Sequence, residues 1–140
     1  MLADLRPGLR TYLLGSSEIA AMVSGRVFPV RMSEGNRLDC VVFIRVLDNE
    51  SYTMQAPSHL IGSRFQIDSW SQDQDRAARL GDLVKERLGG ASGVWPYGAS
   101  SPTDVVIVQG VFLQTGFEDY DEEAQLYRVS RDFIIWYEDA

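Results

Sequence analysis

The chain has 140 residues, the length of one ordinary domain, and a chain of this size buries about two-thirds of its unfolded surface around a single core. Hydrophobic residues at 45% and charged residues at 24% match globular proteins, which excludes a disordered or fibrous chain. Thirteen Lys and Arg against 20 Asp and Glu leave a formal net charge of -7, which opposes binding to nucleic-acid phosphates, a process driven by protein cations.

Leu2, Leu5, Leu9, Tyr12 and Leu13 recur at helical spacing up to Gly15. With Asp4 as N-cap, Pro7 falls in the tolerant first turn. Charges at Asp4 and Arg6 stand where a signal peptide needs its apolar stretch, and no apolar run is long enough to cross a membrane. A cytoplasmic site of synthesis is therefore expected. Ser16 or Ser17 caps a second predicted helix carrying Ile19, Ala20, Met22 and Val23, with Gly25 suited to its left-handed end.

The chain then turns to strands. Arg26 to Val30 is a short extended segment in which Pro29 removes a backbone donor, so it belongs at a sheet edge or strand end. Arg31 to Arg37, containing Gly35-Asn36, reads as a loop. Asp39 to Val46 is an almost unbroken β-branched and aromatic run, suited to a central strand covered on both faces. Residues 52 to 62 have no clean period and suggest a long hairpin connection or projecting loop. From Ser63 to Ser69 alternation returns, with Phe65 and Ile67 on one face, Arg64, Gln66 and Asp68 on the other, and Trp70 on the polar parity.

Ala77, Leu80, Val84 and Leu88 step by three or four along a third helix, capped by Asp73 or Asp75 and ending at Gly89-Gly90. Residues 89 to 102 read as a loop. Two long strands follow: Val105, Ile107, Val111 and Leu113 share one parity, Tyr127, Val129, Phe133, Ile135 and Tyr137 share another, and Glu118 to Glu123 supplies a polar hairpin connection. The expected fold is α+β: one domain over residues 1–140, with a single mixed or antiparallel sheet of about five strands and two to three helices packed on one face.

Chemistry is sparse. The one histidine, His59, has no neighbouring Cys or His to complete a zinc set, and Cys40 lies inside an apolar run where a buried, inert thiol is expected. Gly15-Ser16-Ser17 and Gly90-Ala91-Ser92-Gly93 match no nucleophile elbow, and the latter lacks the Lys and Ser/Thr of a phosphate loop. Glu118 to Glu123 lacks the spacing and glycine of a calcium loop. No catalytic residue, cofactor or metal is expected, and no enzyme activity; residue chemistry alone leads to a globular α+β domain.

The linear arrangement adds an identity. Ile19 to Pro29, a short helix running into Gly25-Arg26-Val27-Phe28-Pro29, resembles the opening of the phage tail-completion family. Cys40-Val41-Val42-Phe43-Ile44-Arg45 is similar to one strand of that family, and Arg64 to Trp70 to the next, followed by an Ala- and Leu-rich helix. Gly110-Val111-Phe112-Leu113 and Leu126 to Phe133 resemble its closing hairpin. Leu38-Asp39-Cys40 departs from the usual Leu-Pro-Tyr, and Trp95-Pro96-Tyr97 occupies a variable loop.

The resemblance implies a virion structural protein: a homo-oligomeric ring, generally hexameric, at the head-proximal end of the tail, terminating the tail tube and joining it to the head connector. The implied partners are other copies of the chain, the tail tube protein and the head-tail connector or stopper, with DNA only passing through the lumen and no membrane contact. Its implied place is the neck region of the virion, after assembly in the bacterial cytoplasm. Arg31, Glu34, Arg37, Tyr52, Met54, His59, Glu118, Asp119, Asp121, Glu122 and Glu123, all in predicted loops, are the interface candidates. The competing readings are a dimeric α+β binding or adaptor domain without a virion role, and a small hydrolase acting through carboxylates.

Overall fold

A computed structural model describes the backbone of residues 5–52, 57–96 and 105–138, and the side chains of these except 47–52, 57–59 and 96. Helix α1 (Leu5–Leu14) buries Leu5, Leu9 and Leu13 and carries Pro7 in its first turn, where a missing N–H costs nothing. In α2 (Ser17–Val23) the Ser16 hydroxyl accepts from the Ile19 N–H at 3.3 Å, and the exit runs through two left-handed residues, Ser24 and Gly25. Helix α3 (Gln74–Leu88) is capped by Asp73, whose carboxylate accepts from the Asp75 N–H at 2.9 Å.

Among the described residues six strands form one mixed sheet: β1 (Val27–Pro29), β2 (Cys40–Tyr52), β3 (Pro57–Ser71), β4 (Gly93–Pro96), β5 (Val105–Asp121) and β6 (Leu126–Glu138). Their order is β1-β2-β3-β6-β5-β4, with β1 parallel to β2 and every other pair antiparallel. The main core joins Leu9, Ile19, Leu80, Val84 and Leu88 of the helices to Val41, Phe43, Phe65, Ile67, Phe133 and Ile135 of the sheet. At Gly81, α3 comes so close to β6 that an added Cβ would lie 2.5 Å from the Val129 side chain. A second, smaller cluster of Cys40, Val42, Trp70 and Leu126 lies on the opposite parity of β2 and β3.

The sheet departs from expectation in five places. It has six strands rather than five, because Gly93–Pro96, read as loop, pairs with Val105 to Val108; Trp95 is buried there and stacks on Tyr12 with ring centroids 4.3 Å apart. Residues 52 to 62 are not a projecting loop: β2 continues to Tyr52 and β3 begins at Pro57, so only residues 53–56 of this stretch lie outside the described residues. Gly62, which breaks the pattern there, faces Trp136, and a Cβ would meet the indole at 2.8 Å.

The acidic stretch is also mostly strand. Glu118 to Asp121 pair with Val129 to Leu126, and the turn is Glu122 to Gln125. The parity assigned to residues 105 to 113 is wrong as well: Val106, Val108 and Val111 are buried, while Ile107 is exposed. An irregularity between Val108 and Gly110 inserts one unpaired residue and exchanges the faces beyond it, until a second one between Leu113 and Thr115 restores them. Finally, β2 is not central. It lies next to the three-residue edge strand β1 and is covered on both faces only from Cys40 to Phe43.

Candidate assembly surface

Pairing fixes where the sequence-derived interface residues fall. Arg31, Glu34 and Arg37 precede β2, and Glu118 to Glu123 end β5, so both groups lie at the end of the sheet marked by Cys40, Trp70 and Leu126. The two groups touch: the Arg37 guanidinium donates to the Ala124 carbonyl at 3.1 Å, and the Gln72 amide donates to the Arg37 carbonyl at 2.6 Å. Arg31, Glu34, Glu122 and Glu123 are exposed. Tyr52 and His59 lie in strands at the other end, about 40 Å away at 3.3 Å per residue along β2. Their side chains, and all of Met54, fall outside the described residues.

Within the acidic stretch the carboxylates have different duties. Asp121 accepts from the Ala124 N–H at 2.8 Å and so closes the β5–β6 turn, which also uses the left-handed residue Gln125. Asp119 receives both Nε and Nη2 of Arg128, and these hydrogen bonds hold its carboxyl below the usual aspartate range. The Arg128 guanidinium lies between the rings of Trp70, at 5.1 Å, and Phe117, at 5.0 Å. Beneath it Asp68 is almost fully buried, 3.7 Å from Arg128, and accepts from the Gln66 amide at 3.1 and 3.0 Å. Burial pushes the Asp68 carboxyl above its ordinary value, against hydrogen bonds from Ser130 and Gln66 and the Arg128 charge, which favour ionisation.

A further hub anchors the loop that carries Arg31 and Arg37. Asp39 accepts from Ser71 Oγ at 2.7 Å and from Arg76 Nε at 2.7 Å, while Arg26 Nε donates to the Asp39 carbonyl at 2.9 Å. The base of this loop is therefore tied to α3 and to the segment before β1. Cys40 is buried, which pushes its thiol up to about 12 and leaves it unreactive. Among the described residues no group of three or more His, Cys, Asp or Glu is placed to hold a metal ion, and no helix is long and apolar enough to cross a membrane.

A cleft of about 300 Å³ between α3 and the β5–β6 hairpin is lined by Gln74, Glu118, Tyr120, Tyr127 and Arg128. Its walls are aromatic and charged, and its nearest paired carboxylate, Asp119, is held by Arg128. Sequence reasoning missed the aromatic part of this region. Phe112 and Phe117 are 54% and 50% exposed, and with Val94 and Ile107 they present large apolar groups to solvent, an arrangement typical of protein contact surfaces. The signal was available in part, since Trp70 and Phe112 stand off the apolar parity of their strands.

The family model described as "Tail completion protein gp17" matches residues 7–138. The chain belongs to this family. It is a phage-type structural tail protein. Among solved structures, a chain from the virion of a native gene transfer agent particle has the same fold: the TM-score is 0.67 at 14% identity, covering 93% of this chain and 91% of that one. No curated protein matches the sequence.

Proposed function

We propose that this tail completion protein acts as a ring, sixfold by analogy with its family, at the head-proximal end of the tail, where it terminates the tube and joins it to the head connector. The observation that carries the reading is the family match over residues 7–138. Its role is mechanical rather than catalytic: it presents one face to the tail tube protein and another to the connector. Arg31, Glu34, Arg37 and the acidic stretch Glu118 to Glu123 form one contact region, and Tyr52 and His59, in strands at the other end of the sheet, belong to a second, to which the candidate Met54, outside the described residues, is also assigned.

The net charge of -7 fits a passage through which DNA slides, because acidic walls repel phosphates instead of holding them. Neutralising Glu118, Asp119, Asp121, Glu122 and Glu123 together should slow DNA ejection from assembled particles; unchanged ejection counts against the acidic lumen. The ring reading itself is tested by electron microscopy of particles lacking this chain. Tails of abnormal length, or tails detached from heads, are expected. Normal tails joined to heads would refute the proposal.

A further inference from the structure

The sheet ends in two unlike open strand edges. On one side β1 covers β2 only from Val41 to Phe43, with the Val30 N–H extending the cover to the Phe43 carbonyl. From Ile44 to Tyr52 the outer edge of β2 has no strand partner among the described residues. On the other side β4 covers β5 only from Val105 to Val108, and the Gly90 N–H reaches the Val111 carbonyl at 3.0 Å. From Phe112 to Asp121 the outer edge of β5 is likewise without a strand partner among the described residues.

Folded proteins shield such edges with lysine, proline, bulges or extreme shortness, because an open edge is a template for another strand. β5 has none of these over Thr115 to Asp121: the stretch contains no Lys, Arg or Pro and stays in unbroken register with Asp132 to Leu126. It exposes Phe117 and Tyr120, and the β2 edge exposes Val46.

From these edges we infer that β5 of one copy pairs antiparallel with β2 of the next, joining the sheets of neighbouring subunits. The inference rests on the ring reading and assigns its seam. Strand polarity supports a second copy as the occupant. Across β2-β3-β6-β5 every pair is antiparallel, so β5 runs opposite to β2, and a copy displaced sideways without inversion offers a β2 edge antiparallel to it. Two different patches on one subunit are what a closed head-to-tail ring requires.

Side chains select a register. Setting Phe117 opposite Val46 buries two exposed apolar groups against each other. The same register sets Glu118 opposite Arg45, a carboxylate facing a guanidinium. The charged pair shares a face: Glu118 lies on the parity of Val129, the side on which Arg45 covers the Phe65 ring, while Phe117 lies on the parity of Ser130, away from Phe133. Val46 is the extra residue of an irregularity in β2 between Arg45 and Leu47, so its facing follows the bulge and not strand alternation.

Within one copy Phe117 is level with Val42 through Ser130 and Asp68, whereas this register sets it opposite Val46, about four residues farther along. Neighbouring copies are therefore offset by about 13 Å along the strands, which a ring absorbs by tilting its subunits, as barrels tilt their strands.

The test uses Phe117→Cys and Val46→Cys in the full chain, both at exposed positions, with the native Cys40 buried out of reach. Oxidation of assembled particles and of the concentrated protein should link the double variant into a ladder ending at the ring number. An equimolar mixture of the two single variants should give dimers only, and each single variant alone no link. In parallel, Phe117→Lys or Val46→Lys should weaken subunit association about tenfold or more while leaving the monomer folded by circular dichroism.

Links formed by Phe117→Cys alone would mean two-fold pairing of β5 with itself and would overturn the inference. Rings that form unchanged with both lysines, and without links in the double variant, place the seam elsewhere while leaving the ring reading intact. Absence of any ring, in solution and in particles, removes both.

Discussion

The two halves of β5 are one continuous strand with opposite fates. From Val105 to Val111 it pairs first with β4, over Val105 to Val108, and then with β6 from Val108 on, and Val106, Val108 and Val111 are buried under the helices. From Phe112 to Tyr120 it still pairs with β6, yet every residue is exposed. Pairing holds a backbone in place, but only a covering layer removes side chains from water. The first half therefore belongs to folding and the second is left for contact with other chains.

Several measurements would break or sharpen that contrast. The largest effect is expected opposite Leu113, at the fully buried Phe133: Phe133→Ala should cost about 3–5 kcal/mol in urea unfolding, because it removes a ring from the centre of the main core. Val111→Ala, in the covered half of β5, should cost about 1.5 kcal/mol from two lost methyl groups. Gly116→Ala should cost about 1–3 kcal/mol although it sits in the exposed half, since its Cβ would lie 2.6 Å from the Ser130 carbonyl oxygen and push β5 off β6. Phe117→Ser should cost the monomer no more than about 1 kcal/mol, from the half-exposed ring and its contact with Arg128. A large loss there would mean that the outer half of β5 is part of the folding core.

The smallest effects concern pH, and the two halves of the Arg128 cluster should respond with opposite sign. Asp119 has a lowered folded value, so its contribution is present above the ordinary aspartate value of 3.8 and is lost as pH falls below it. Asp68 has a raised value, so the native state binds that proton more tightly and loses stability as pH rises above 3.8 through the folded value. Asp119→Asn should flatten the acid limb of the stability–pH curve, and Asp68→Asn the limb above 3.8. Identical curves for Asp68→Asn and the parent chain would show that Asp68 is not the buried acid described.

Much of the scaffold was legible because burial leaves a period in the sequence. Leu80, Val84 and Leu88 mark the buried side of α3, Phe65 and Ile67 that of β3, and Phe133, Ile135 and Tyr137 that of β6. The candidate surface was legible only in part. The loop containing Arg31 and Arg37 and the acidic stretch were both marked by polarity, but nothing in the sequence says that Arg37 reaches Ala124 and brings them together. Arg128 reads as one more exposed cation until Trp70, Phe117, Asp68 and Asp119 are seen around it.

The sequence by itself determined the order of the helices and strands, the apolar side of each well-buried element, and the likeness to tail completion proteins that spans nearly the whole chain. Tertiary structure alone decided that Gly93–Pro96 is a strand, that two irregularities exchange and then restore the faces of β5, and that the sheet ends in two open edges. The physical reason is that burial selects residue types, whereas strand pairing uses the N–H and C=O that almost every residue carries alike. Where an element is covered, its side chains record the fact; where it is merely paired, or left unpaired, only its neighbours in space reveal it.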